Sequence, residues 1–125
     1  MHHSILAFRD WPLWSEIVGI QDRSFDADPE HTLSVEVLDL DHPITRGMPS
    51  WEMIDETYIM DDPGEGSTIL ATTDHPNSMK ALLWTRMYRN SRVVCTSLGH
   101  GRRAYSTPQY RDILVRGIQW ASGRL

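Results

Sequence analysis

Strand patterns follow one another through the middle of the chain, and no helix pattern interrupts them. Leu33, Val35 and Val37 alternate with polar residues, which is the period-two pattern of a strand with one buried face. The predicted strands cover residues 33–37, 51–60, 68–73, 81–88 and 92–98. Strands that succeed one another in this way exclude a self-contained doubly wound fold, which needs strands and helices in alternation.

Helix patterns occur only at the two ends of the chain. The segment 11–19 predicts a short helix, with Pro12 in its first turn and Gly19 as its stop. A longer amphipathic helix is predicted near the C-terminus, behind Pro108. Its apolar residues at helical spacing are Tyr110, Ile113, Leu114, Ile118 and Ala121. The sequence therefore predicts an α/β chain with about five strands, a short N-terminal helix and a C-terminal amphipathic helix.

The size and the charge of the chain narrow the choice of partners. Its 125 residues, 14.4 kDa, fit one domain. A formal net charge of -5 has the wrong sign for a protein that neutralises nucleic-acid phosphates. No apolar run approaches the roughly 20 residues of a membrane-spanning helix, and the single cysteine, Cys95, cannot form an internal disulfide. We therefore expect a cytoplasmic protein that binds neither nucleic acid nor membranes.

Histidines lie at the ends of the predicted elements, where open sheets place ligands. His2 and His3 are at the start of the chain, and His100 lies between two glycines after the last strand. Small neighbours leave an imidazole reachable, which suits a general base or a metal ligand; a loop histidine between turn glycines is the alternative. His42 and His75, each followed by proline, are predicted to be turn histidines bonded to nearby backbone. No HExxH or CxxC spacing is present, so the prediction of a zinc site is supported only by the histidine content of the chain.

A pair of adjacent carboxylates is the other candidate for chemistry. Asp55 and Glu56 lie in an alternating segment, so their side chains point to opposite faces and one of them faces inward. An inward carboxylate needs a partner or a function. The alternative to a function is an ion pair with an arginine. The candidate arginines are Arg86, Arg92, Arg102 and Arg103.

Aromatic and thiol side chains offer weaker signals. Trp11, Trp14 and Trp84 can each present a stacking face to a sugar ring if they border a cleft, and a core position is the alternative. Cys95 lies in the middle of a predicted strand with no glycine-bounded elbow around it. We expect its thiol to be buried and inert rather than nucleophilic.

Five blocks of the sequence resemble, in the same order, the successive blocks of the trehalose-utilisation (ThuA-like) domain. They are residues 41–49 (DHPITRGMP), 55–58 (DETY), 83–88 (LWTRMY), 96–100 (TSLGH) and 116–121 (RGIQWA). The start of the chain is also similar to the family's Leu-His-His segment and the tryptophan-containing helix after it. Five blocks in order make this resemblance specific, although each block alone is weak.

The resemblance implies a class I glutamine amidotransferase-like (flavodoxin-like) fold. It covers essentially the whole chain, but the chain corresponds only to the later part of the family's domain. Residues 1–125 are therefore expected to form a single ThuA-like domain that lacks the N-terminal Rossmann-like half. What remains implies the edge of a parallel sheet with an apolar face left uncovered. We expect a homodimer, or a partner chain that covers this face.

The resemblance also implies a pocket at the strand ends and a role in sugar metabolism. Glu56 and His100 are expected to act as catalytic acid and base on a disaccharide or keto-sugar. His3 and His100 are expected to hold a divalent metal such as zinc. Substrate contacts are expected from His2, Asp55 and Trp84. The family lacks the cysteine nucleophile of the amidotransferases.

A non-catalytic function is the alternative. A chain that lacks half of a fold also lacks part of the rigid shell that a preorganised site needs. In this interpretation the protein is a remnant or a partner-binding module, which self-associates or completes the sheet of another chain. Retained binding without turnover distinguishes it from an enzyme.

Overall fold

A computed structural model describes residues 2–125 of the chain. A 3-10 helix over His2–Leu6 comes first. The strands are β1 (Asp26–Val37), β2 (Trp51–Ile59), β3 (Ser67–Thr72), β4 (Ala81–Tyr88) and β5 (Ser91–Thr96). The helices are α1 (Pro12–Val18), α2 (Arg102–Ser106) and α3 (Pro108–Ala121). The predicted mixed α/β class, with five strands, a short N-terminal helix and a C-terminal helix, is confirmed; the short α2 was not predicted.

The five strands form one curled sheet in the order β2-β1-β3-β4-β5. Each strand pair within the described residues is antiparallel. This differs from the parallel edge that the family resemblance implied. Antiparallel neighbours need only a short turn between them, as in the β4–β5 hairpin, whereas parallel neighbours need a crossover of a dozen residues or more.

Strand β1 begins earlier than its polar sequence indicates. The composition of residues 21–30 predicts a surface loop, yet the strand starts at Asp26 and pairs Ala27 with Tyr58 of β2. The register then shifts between Asp28 and His31, which marks a bulge in this pairing. The reason is tertiary, because pairing with β2 overrides the weak strand propensity of these residues.

Two hydrophobic clusters cover the sheet. One cluster packs helix α3 on the strands through Tyr110 and Ile113, against residues such as Leu33 and Leu82. The other packs the N-terminal segment on the strands. Its fully or nearly fully buried members include Ile5, Val18, Ile20, Tyr58, Trp84 and Cys95. The second cluster therefore fixes the segment that begins with the two N-terminal histidines.

The cysteine is buried, as the sequence predicts. Cys95 is buried and free, and burial raises the pKa of its thiol to about 11, so the thiolate nucleophile is disfavoured. Among residues 2–125, none of the helices has the length and apolar character required to span a bilayer.

Candidate functional site

Three histidines and a glutamate meet where the N-terminal 3-10 helix contacts the end of β5. The ring centroids of His2 and His100 are 5.2 Å apart, and those of His3 and His100 are 5.4 Å apart. Oε1 of Glu56 lies 3.2 Å from Nε2 of His2 and 3.3 Å from Nδ1 of His100. The structure therefore brings together four of the residues that the sequence and the resemblance indicated.

His2 is held in one orientation by the protein. Its Nδ1 is hydrogen-bonded to the carbonyl oxygen of Ser97, and its ring stacks on Tyr58 at a centroid distance of 4.5 Å. A carbonyl only accepts hydrogen bonds, so Nδ1 carries a proton. Burial lowers the pKa of His2, outweighing the opposing effects of Ser97, Asp55 and Glu56. The ring is therefore neutral near pH 7, and Nε2 presents a lone pair.

The Nε2 lone pair of His2 lies beside a second hydrogen-bond acceptor, the side chain of Glu56. Nε2 of a neutral His2 and Oε1 of an ionised Glu56 are both acceptors, yet they are only 3.2 Å apart. Two acceptors at this distance need either a shared proton or a cation between them. His2 and Glu56 are therefore placed to hold either a proton or a cation between them.

Tyr58 supports the second N-terminal histidine. Its hydroxyl lies 2.9 Å from Nδ1 of His3. Burial raises the pKa of Tyr58, and the carboxylates of Glu56 and Asp55 raise it further, so the phenol keeps its proton. A phenol oxygen can accept from an Nδ1–H group, which leaves Nε2 of His3 free for a ligand.

Asp55 holds the loop that carries His100. Its carboxylate accepts hydrogen bonds from the backbone N–H groups of Gly99 at 2.6 Å, His100 at 3.0 Å and Glu56 at 3.1 Å. Asp55 is 3% exposed. Its oxygens are thus directed at backbone rather than at a ligand, and neither a substrate contact nor an arginine ion pair describes its position. Asp55 fixes the backbone of His100, while Glu56 contacts the ring of the same residue.

Gly99 allows the loop before His100 to pack closely against Tyr110. Its φ of +113° lies in the region that favours glycine. A Cβ at this position would lie 1.9 Å from the Tyr110 hydroxyl, which itself donates to the carbonyl of Leu98. Any other residue would displace Tyr110 and, with it, the loop before His100.

The other predicted site residues lie elsewhere. Trp84 has no exposed surface, and its Nε1 donates to the carbonyl of Val18 at 2.9 Å. It offers no face to a sugar and supports the N-terminal segment instead. His42 and His75 accept from the backbone N–H groups of Ile44 and Asn77, each at 3.2 Å, as predicted for turn histidines.

The donor set fits a divalent metal such as zinc. His2, His3 and His100 each offer one ring nitrogen, and these nitrogens lie within 4.8 Å of one another. A tetrahedral zinc ion with Zn–N bonds of about 2.0–2.1 Å separates its ligand nitrogens by about 3.4 Å, so small side-chain rotations would close the site. Hydrogen bonds from the second ring nitrogen to backbone or side-chain oxygens, such as those that Ser97 and Tyr58 can accept, are typical of metal-binding histidines.

Sequence reasoning missed the role of Tyr58 and placed His2 among the substrate contacts. The alternation of β2 carried a signal for Tyr58, because it lies two residues after Glu56 and so shares its face. The sequence carried no signal for the contact between the Ser97 carbonyl and His2, because every residue type has the same backbone acceptor.

Solved structures place the fold among ThuA-like proteins. A putative ThuA-like protein from Parabacteroides merdae superposes with a TM-score of 0.80 at 24% identity, over 97% of this chain and 58% of its own. One from Bacteroides uniformis gives a TM-score of 0.77 at 19% identity, over 96% and 56%. The cytoplasmic protein STM3548 from Salmonella typhimurium gives 0.66 at 16% identity, over 94% and 49%. The chain thus spans roughly half to three fifths of these relatives' length.

The family itself follows from the sequence match. The pattern of the family described as trehalose utilisation (ThuA) matches residues 1–121, nearly the whole chain. This protein therefore belongs to the trehalose-utilisation (ThuA) family, as the five sequence blocks indicated. A search of curated protein sequences gives no match.

A first prediction concerns the pH dependence of stability. Because burial lowers the pKa of His2 in the folded state, the unfolded state binds more protons below about pH 6.5. The free energy of unfolding should therefore fall as the pH drops from 7.5 to 5.5. His2→Asn keeps a donor for Ser97 but does not titrate, so urea unfolding of this variant should show a smaller fall. Equal slopes for the two proteins would contradict a buried, neutral His2.

A second prediction concerns the hydrogen bonds from the Gly99 and His100 backbone N–H groups to Asp55, which we call the loop clamp. Asp55→Asn replaces one acceptor oxygen with an N–H donor, which would face the backbone N–H of Gly99 or His100. We expect a loss of about 1–3 kcal/mol in the free energy of unfolding, measured in urea. Asp61→Asn, at an exposed position, is the control and should change it by less than about 0.5 kcal/mol. Similar small losses in both variants would show that the clamp contributes little.

Proposed function

We propose that this protein acts in disaccharide utilisation, with a strand-end pocket in which Glu56 and His100 transfer protons on a disaccharide or keto-sugar. Membership of the trehalose-utilisation family supports the substrate class. The convergence of three imidazoles on Glu56 supports the chemistry, and this convergence is the observation that carries the proposal.

The geometry suits the division of an acid and a base between two groups. The side chain of His100 is 42% exposed and that of Glu56 is 15% exposed, so the histidine reaches the solvent side and the glutamate lies behind it. Nδ1 of His100 faces Oε1 of Glu56, which leaves Nε2 directed away from the glutamate. In the metal-free protein, Nε2 of His100 can take a proton from a sugar hydroxyl while the Nδ1 proton moves to Glu56.

A divalent metal defines a second form of this proposal, because a metal-bound Nε2 of His100 has no lone pair left to accept a proton and Glu56 would then move protons alone. Zinc held by His2, His3 and His100 would supply Lewis acidity toward a sugar hydroxyl or carbonyl oxygen. The contribution of the chain itself is to orient the ligands: Ser97 fixes His2, Tyr58 contacts His3 and Asp55 fixes the backbone of His100. His2 thus moves from the substrate contacts to the proposed ligand set.

Partners and location remain part of the proposal. We expect a small-molecule sugar ligand, no nucleic acid and no membrane, in the cytoplasm. Strand β5 lies at one end of the sheet, and an apolar groove beside it is lined by residues such as Val94, Ile113 and Gly117. A second copy of the chain, or a partner chain, would cover this edge. Binding without turnover would instead support a non-catalytic module.

A third prediction tests the pocket by ligand-dependent melting. Saturating zinc or trehalose, at about 100 times its dissociation constant, should add roughly 2.7 kcal/mol to the free energy of unfolding. Glu56→Gln should keep the trehalose shift but lose turnover, measured as disappearance of trehalose or of its oxidised form by chromatography. His100→Ala should lose most of the zinc shift, because it removes a ligand.

Glu52→Gln is the matched control for Glu56→Gln, since both lie on β2 and Glu52 is exposed. It should behave as the wild type in melting and in turnover. Full turnover in Glu56→Gln would reject the catalytic role. A wild-type protein that is folded but shows no shift with zinc or any disaccharide would reject the pocket.

A further inference from the structure

Three aromatic side chains form a cluster after the N-terminal histidines, with Phe8 and Trp11 exposed and Trp14 half-buried. The ring centroids of Phe8 lie 5.6 Å from Trp11 and 5.3 Å from Trp14, and the two tryptophan rings are 6.3 Å apart and nearly parallel, at 12°. Phe8 is 61% exposed and Trp11 is 44% exposed. We call Phe8, Trp11 and Trp14 the aromatic platform. Large aromatic faces left open to solvent in this way are typical of binding surfaces.

The backbone that presents Phe8 is strained. Its φ is +50°, which bulky residues rarely adopt and which costs about 1–3 kcal/mol. Such strain persists only where surrounding contacts impose it. The surrounding structure therefore holds Phe8 in this position.

Arg23 supplies those contacts. It is 5% exposed, and its guanidinium donates to the carbonyl oxygens of Ala7, of Phe8 at 2.8 Å and of Arg9 at 3.3 Å. Its Nε donates to the hydroxyl of Ser15 at 3.0 Å, which joins this loop to helix α1. A buried arginine thus fixes both elements that carry the platform.

The platform is also tied to the histidine cluster. Nε1 of Trp14 donates to the carbonyl of Ser4 at 2.9 Å. Ser4 follows His3 directly in the 3-10 helix. This hydrogen bond fixes the position of the platform relative to the 3-10 helix that carries His2 and His3.

Polar groups line a cleft that includes the sequence neighbours of Phe8 and Trp11. This open cleft has a volume of about 350 Å³, within the range of about 300–1,000 Å³ that is usual for small-ligand pockets. The cleft is lined by Arg9, Asp10, Pro12, Ser15, Glu16 and Gln21. Aromatic faces beside carboxylate, guanidinium and amide groups match a sugar ring, whose C–H face stacks on aromatics while its hydroxyls need donors and acceptors.

We propose that the aromatic platform is a sugar-binding subsite, at which Phe8 and Trp11 stack on one ring of a disaccharide. The proposal rests on the proposed function and deepens it, because it names the residues that would favour a disaccharide over a monosaccharide. The second ring would then extend toward the histidine cluster.

The test measures trehalose and glucose binding by isothermal titration calorimetry. Phe8→Asn removes the ring but suits a positive φ, so the fold should be retained. Trp11→Leu removes the aromatic face and keeps apolar volume. We expect each variant to weaken trehalose binding by about fivefold or more and to change glucose binding little. Val115→Ala, at a 55% exposed position on α3, is the control and should bind as the wild type does.

The outcomes separate this subsite from the proposed function. If the wild type binds trehalose and both platform variants bind it equally well, the subsite is wrong and the histidine pocket stands. If the wild type binds no sugar, the proposed function fails as well. If the platform variants instead convert a dimer into a monomer, in sedimentation experiments that trehalose does not affect, the platform is an interface between copies and the subsite is rejected.

Discussion

The candidate site depends on the carboxylate of Asp55. Buried under the loop after β5, it accepts backbone N–H groups from Gly99 and His100, so its desolvation is compensated by hydrogen bonds rather than by a counter-ion. This clamp fixes the end of β5 against β2. Its neighbour Glu56 then lies within reach of the His100 ring, and the carbonyl of Ser97 faces His2. Without the clamp, the residues of the site would sit on independent elements.

The chemistry of the site follows from how its histidines are held. Ser97 determines which nitrogen of His2 carries the proton, and burial keeps the ring neutral. The remaining lone pair faces Glu56, so the pair is completed by a proton or by a cation. The same arrangement serves proton transfer and metal binding, because both need an unprotonated ring nitrogen in a fixed direction. The platform of Phe8, Trp11 and Trp14 would add selectivity for the ligand without taking part in this chemistry.

Local sequence patterns predicted the helices and strands more accurately than the tertiary contacts between them. The alternation of Leu33, Val35 and Val37 and the helical spacing around Ile113 depend on neighbouring residues only, and both elements formed as expected. The start of β1 depends on pairing with β2, which its own polar sequence does not encode. The role of Asp55 depends on N–H groups 44 and 45 residues further along the chain. Trp84 is found in the core because the N-terminal segment covers it, which residue type alone does not reveal.

The central claim is that His2 is a neutral ring with its proton on Nδ1 and its Nε2 lone pair directed at Glu56. Long-range ¹H–¹⁵N correlation spectra of the imidazole rings at pH 7, recorded on the metal-free protein, report this state directly. We expect a protonated Nδ1 and an unprotonated Nε2 for His2, with the assignment secured by loss of its signals in His2→Asn. An Nε2–H tautomer, or a doubly protonated ring, would contradict it.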